Sequence, residues 1–417
     1  MDLLFVPKPL FNDTMSVEGY YFSYQHGNAI IESAKSNPLD GAMYSPFIAF
    51  MNSVGLEALS ENKTIFIPVT NILLMTDLEK ECRVEPGKVA FLLSRDVQLN
   101  DMILGRVIRY KSLGYMIAFR HRDDLTSLRT FLPYADYVFL SQPLVGLDEK
   151  LSYMNYHHKN VRLVATDIPN STEFDSIKHS GLHLFDGPFY KVHIHSNDKY
   201  NALPPLKVNY IQLLNIVNQH DFDFQTFSKV IRQDTSLAVA FIRLVNSSGR
   251  LSSEIKTINH AAAMLGQREI KKWVSTAVST ALCADKPSEV MRVSLLRAKF
   301  CENLAPSFNM PMLGEDLFLT GLFSILDVIL ELPMEAALSL VFMPETIRVA
   351  LANRQGEFYH VLSFVLSYEQ GDWYEISRIA MLQDIAIKSI HDAYTGAMLW
   401  YSQLINLSVD ETILYDA

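Results

Sequence analysis

Cysteine is scarce. Cys82, Cys283 and Cys301 are the three in 417 residues, and none is CxxC-spaced. That leaves no disulfide framework and no thiolate zinc site, and it fits buried thiols in a reducing cytoplasm. Basic charge is also in deficit. Lys and Arg number 36 against 46 Asp and Glu, a formal net charge of −10, which argues against broad nucleic-acid binding while leaving room for a local basic face. No run reaches the roughly 18–20 uninterrupted apolar residues of a spanning helix. The greasiest stretch, Leu317 to Leu332, is broken by Asp327 and Glu331 and reads as a buried core helix. No basic segment leads into an apolar run at the start, so neither a signal peptide nor membrane insertion is expected. Glycine-rich phosphate loops, Ser-His-Asp arrangements, low-complexity segments and internal repeats are missing too. With 49% hydrophobic and 20% charged residues, what remains is a globular chain long enough for two domains.

The first half alternates short apolar runs with helical patterns. Leu3–Val6, Thr64–Val69, Val89–Leu93, Tyr115–Phe119, Tyr137–Leu140 and Arg162–Thr166 read as strands buried on both faces. Ser45-Pro46 opens a helix as N-cap and N1, and Leu99 to Leu113 forms another closed by Gly114. Such alternation predicts a parallel sheet able to close as a TIM-like (β/α) barrel, with short or missing elements because about 190 residues is at or below the usual size. The predicted division is a barrel over 1–195 and an all-helical domain over 200–417, joined by a short stiff junction at Val192–Pro205. In the second half Thr257 caps a helix with Ile258, Ala261, Ala262 and Leu265 on one stripe and Gly266 as its stop. Helices resume over Met291–Leu304, Gly314–Leu332 and Tyr374–Leu404.

Asp234-Thr235-Ser236-Leu237, Arg243-Leu244-Val245-Asn246-Ser247 and Ile255-Lys256-Thr257-Ile258-Asn259, with Ala261 and Leu265-Gly266, resemble the signature run of bacterial HDOD domains. Those are relatives of HD metal phosphohydrolases that typically lack the metal. Ser294–Glu302 and Gly321–Asp327 resemble a narrower group in which a cyclic di-GMP phosphodiesterase-like EAL barrel precedes the HDOD domain.

The resemblance implies a two-metal hydrolytic site, with carboxylates at the C-terminal ends of barrel strands. At the matching positions this chain carries other residues. Tyr21 follows Gly19-Tyr20 where a glutamate belongs, Pro68 replaces an asparagine, and Leu92 replaces a glutamate. Arg120-His121 stand for paired aspartates after Gly114–Phe119, Phe139 and Ser141 for a lysine and an aspartate, Thr166 for a glutamate, and Asp186 for a glutamine before Gly187. The expectation is a barrel without catalytic residues, metal or cofactor.

The histidines weigh the same way. His220-Asp221 falls at a turn, His260 stands alone, and His391-Asp392 lies outside the matching region. His193 and His195 have strand spacing but no acidic or cysteine partner, and His157-His158 reads as the polar end of a helix. Arg106, Arg109, Lys111, Arg120 and Arg122 make one basic stretch, read as solvated helix charge plus one residue filling the barrel mouth. The resulting expectation is a non-enzymatic cytoplasmic adaptor that binds other signalling proteins, mainly through the HDOD half. Its expected surface contains Arg243, Arg268, Lys271 and Lys272, while Trp273 is weighed towards the core. The alternative is a receptor for cyclic di-GMP or another small anion. An open basic mouth favours the receptor, and filling by Tyr21, Phe119, Phe139 and Arg120 favours the adaptor, which would leave cyclic di-GMP unbound. Whether copies of the chain form a homo-oligomer is left open.

Overall fold

The computed structural model describes residues 3–34, 46–120, 128–192, 204–219, 224–232, 237–238, 241–242 and 257–412. His121, Arg122, the histidines at 193, 195 and 220, Arg243, Ser45, most of the junction and most of the 234–256 signature lie outside them.

Eight strands close a barrel in sequence order. They are β1 (Leu3–Phe11), β2 (Val17–His26), β3 (Thr64–Val69), β4 (Val89–Leu93), β5 (Met116–Arg120), β6 (Tyr137–Ser141), β7 (Arg162–Thr166) and β8 (Leu184–Phe185). From β2 to β8 every pairing is parallel, whereas β1 runs antiparallel to both its neighbours. β2 and the two-residue β8 are additions to the six strands expected. The helix Asp101–Ser112 starts on Asn100, whose side chain accepts from Ile103 N, and ends before Gly114 in the left-handed region at φ 91°. Gly187 permits the tight passage out of β8, since a Cβ there would sit 2.1 Å from the Ile168 carbonyl oxygen.

The interior obeys the period of two. Leu10, Tyr21, Phe66, Ala90, Leu92, Ala118, Tyr137, Phe139, Val164 and Leu184 pack as one cluster inside the barrel. Intervening residues face the outer layer. Phe119 is one of these and packs edge-on against Phe131 at 5.8 Å, so it does not fill the mouth as expected.

Two compact units emerge, divided differently from the predicted 1–195 and 200–417. One comprises Met1–Val192 together with Phe364–Ala417, and the other His193–Ser363. The C-terminal helices belong with the barrel because they satisfy its first strands. Phe5 N donates to the Tyr368 hydroxyl at 3.2 Å, His391 Nδ1 donates to the Leu3 carbonyl at 2.6 Å, and Trp373 Nε1 donates to Ser23 at 3.1 Å. Phe5, Phe50 and Tyr394 surround these contacts with aromatic packing.

The described part of the second unit is all-helical. Thr257 caps Ile258–Leu282, accepting from His260 N, and Gly266 breaks that helix at φ 77°, ψ 164°. Where one helix over Gly314–Leu332 is expected, Gly314–Phe323 and Leu326–Leu330 form separately. The Ser324 hydroxyl donates back to the Gly321 carbonyl at 2.6 Å, a local bond that competes with helix continuation. In the first unit the expected Tyr374–Leu404 likewise divides into Trp373–Leu382 and Ile387–Thr412, with Asp384 at φ 53° between them. No helix among the described residues is long and apolar enough to cross a membrane.

Candidate functional site

Alternation aims one set of side chains at the C-terminal mouth of the barrel. Pro68, Arg120, Ser141, Thr166 and Asp186 each lie two residues beyond an interior residue, namely Phe66, Ala118, Phe139, Val164 and Leu184. Register places Pro68 beside Leu92, Arg120 beside Phe139, and Ser141 beside Thr166. Asp186 N donates to the Ala165 carbonyl at 2.8 Å, which prolongs the ladder past β8. Thus Tyr21, Pro68, Leu92, Arg120, Phe139, Ser141, Thr166 and Asp186 share one interior end, and His121 falls outside the described residues.

The centre of this end is filled. Phe139 is fully buried and meets Tyr21 edge-on at 6.2 Å and Phe66 at 5.6 Å. The Arg120 guanidinium lies over both aromatic faces, 5.4 Å from Tyr21 and 5.9 Å from Phe139. The Tyr21 hydroxyl donates to Asp186 Oδ2 at 3.1 Å. Burial pushes Asp186 up to about 6, assisted by the Asp167 charge and opposed by Lys8, Tyr21 and Arg120. Burial, then the neighbouring Asp186 charge, holds the Tyr21 phenol well above its ordinary value. The Thr166 hydroxyl donates to Asp167 at 2.9 Å. At the rim, Arg95 Nη2 donates to the Ser141 hydroxyl at 2.5 Å.

Divalent cations of the two-metal type need several hard oxygen donors on each ion. Asp186 and Asp167 are the carboxylates that interact here, and both already accept hydrogen bonds from neighbouring hydroxyls. No group of three His, Cys, Asp or Glu able to hold a metal ion occurs among the described residues. Among the described residues, the donor set does not fit a two-metal centre. Lys8, Arg95 and Asp167 were missed from sequence; for Arg95 and Asp167 the signal is position, since Arg95 lies two residues past β4 and Asp167 directly follows β7, where barrel sites are built.

The other expected features are dispersed. Arg106 and Arg109 pair with Asp77, Arg109 also with Glu79, and Lys111 with Asp136, so the basic stretch on Asp101–Ser112 is internally neutralised. His260 is exposed, His391 is buried against β1, and His157 and His158 close the helix Leu147–His157.

In the helical unit, Arg268, Lys271 and Lys272 line a shallow groove with Glu315, Phe318 and Leu319. Arg268 pairs with Glu315. Lys272 pairs with Glu302 at 2.6 Å and sits 4.9 Å above Phe318. The groove's cations are therefore partly committed within the fold. Trp273 is half-buried and packs on Phe241 at 5.0 Å.

A closed barrel followed by a helical unit is the architecture, and comparison with known proteins names the helical part. Residues 203–338 match the HDOD domain, which the chain therefore carries. Over 96% of its length the chain is 25% identical to "Uncharacterized protein YuxH" of Bacillus subtilis, covering 98% of that protein. It is also 25% identical to "Cyclic di-GMP phosphodiesterase CdgJ" of Vibrio cholerae, over 96% of this chain and 92% of that one. Among solved structures, a standalone EAL protein from Vibrio cholerae in its cyclic di-GMP-bound form aligns with 45% of this chain and 90% of its own, at 16% identity and a TM-score of 0.37.

Proposed function

We propose that this chain is a non-enzymatic signal-transduction adaptor that acts through protein–protein contacts, chiefly of its HDOD domain. A similar protein of matching length is named a cyclic di-GMP phosphodiesterase, so hydrolysis is the reading to set against this one. The observation that carries the proposal is the content of the barrel mouth. Tyr21, Leu92 and Phe139 occupy its centre, and Arg120 lays a permanent cation over the two rings. Two-metal hydrolysis asks for oxygen donors in that space, and a guanidinium repels the ions such donors would collect. On the described side of the HDOD domain, His260 stands exposed without the neighbours a metal centre needs. A chain of this design has contact surfaces rather than turnover to offer.

The test is capture by the whole chain. A fragment beginning near residue 201 would carry residues 364–417 without the barrel they pack against, so point variants are used instead. The full chain, immobilised, is expected to retain one reproducible protein partner. Lys271→Glu on the helical unit should weaken retention, and Arg120→Gln at the barrel mouth should leave it unchanged. Retention that depends on Arg120 and ignores the helical unit would refute this assignment.

A further inference from the structure

We propose that Arg95 and Arg120 form a binding site for a small oxyanion, a phosphate monoester in the first instance, at the rim of the filled barrel. Both guanidiniums line one small, open pocket, together with Ser94 and the apolar side chains of Leu93, Val97 and Phe119. Arg95 leaves the end of β4 and donates to Ser141 on β6, while Arg120 ends β5, the strand between them. The two cations are thus carried to the same edge. Like charges lining one pocket repel, and a bound anion would offset that repulsion. Several guanidiniums elsewhere in this unit have such partners. Arg106 and Arg109 reach Asp77, Arg109 reaches Glu79 as well, and Arg162 pairs with Glu18 at 2.6 Å. Among the described residues, neither Arg95 nor Arg120 makes a salt bridge to a carboxylate. Asp186 acts on Arg120 only at longer range, and its carboxylate is engaged by Tyr21.

Chemistry and size choose the ligand. Two planar donor forks match the two charges and several acceptor oxygens of a phosphate monoester, and charge-assisted bonds of this kind are the strong ones. The pocket is small and open, far below the roughly 300–1,000 Å³ of sites for drug-sized ligands, so it suits a single anionic group lying partly in solvent. The centre of the barrel, occupied by Tyr21 and Phe139, leaves no room for a dinucleotide to lie across it. This inference does not depend on the adaptor reading: an adaptor with or without turnover could carry such a site.

The experiment measures thermal stability and titration calorimetry of the full chain with inorganic phosphate, against chloride at equal ionic strength, with acetate and cyclic di-GMP as separate arms. Phosphate is expected to raise Tm by a few degrees where it saturates the site, acetate to do less, and cyclic di-GMP to add nothing. Arg95→Gln and Arg120→Gln should each cut phosphate affinity about tenfold or more, whereas Arg109→Gln on the outer helix should not. Phosphate should also shield Arg95 and Arg120 of the unmutated protein from phenylglyoxal, read peptide by peptide by mass spectrometry, which keeps the test independent of variant folding. Equal modification with and without phosphate, or wild-type phosphate affinity in both variants, would overturn the proposal. Tighter binding of cyclic di-GMP than of phosphate would overturn the size argument and favour a dinucleotide receptor.

Discussion

Replacing Asp186 by Asn should change how stability depends on pH. Asp186 is 5% exposed, accepts from the Tyr21 hydroxyl, and has its pKa raised from an ordinary 3.8 to about 6 by burial. A group whose folded-state pKa lies above its unfolded value favours the folded state fully below the unfolded value. That contribution is lost as pH rises through the folded value. The displacement from 3.8 to about 6 corresponds to roughly 3 kcal/mol at 1.36 kcal/mol per pKa unit. Asn cannot ionise, and its carbonyl keeps an acceptor for Tyr21. The amide hydrogens it introduces carry a cost that does not vary with pH. Urea unfolding of wild type and Asp186→Asn, measured side by side from pH 4 to pH 8, should therefore show the difference moving in the variant's favour by about 2–2.5 kcal/mol, mostly between pH 4 and pH 7. Parallel profiles across that range would refute the burial of an ionisable carboxyl at the barrel mouth.

Phe139→Ala should lower stability by about 3–5 kcal/mol in the same assay, because it empties the fully buried centre where Tyr21, Phe66 and Arg120 converge. Lys272→Glu should lower Tm by several degrees, on the order of 1–2 kcal/mol, since it sets a carboxylate against Glu302. The exposed Arg268→Glu should leave Tm near wild type, so the two charges expected to form one surface differ in structural cost. Calorimetry should show cyclic di-GMP binding no tighter than about 100 μM, because tighter binding needs well over 5 kcal/mol from a mouth whose centre is occupied.

Much of this was legible in the chain, and the exceptions have physical reasons. Six strands carried dense apolar runs, and the resemblance to the EAL frame marked Pro68, Leu92, Arg120, Phe139, Ser141 and Thr166 as matching site positions. β8 escaped because two residues, Leu184 and Phe185, present no pattern. β2 escaped because Val17–His26 mixes Glu18, Ser23 and Gln25 among its aromatics, and its outer end is only half-buried. Phe119 shows the limit of naming residues by neighbourhood: one position from Arg120, it faces the opposite layer. The C-terminal helices were recognisable as helices, but an apolar stripe does not say what it packs against. Tyr368 and His391 found their partners in β1, more than 360 residues away in the chain. Charge surfaces were least legible, since Lys272 is engaged by Glu302, thirty residues on.

The central question is whether this barrel hydrolyses anything. Purified full-length protein should be incubated with cyclic di-GMP and Mg²⁺ or Mn²⁺ and the linear dinucleotide product followed by chromatography, with buffer as blank. No product is expected from wild type and none from Arg120→Asp, because one restored carboxylate does not rebuild a site that needs several. Metal-dependent product above the blank from the wild-type chain would contradict that expectation.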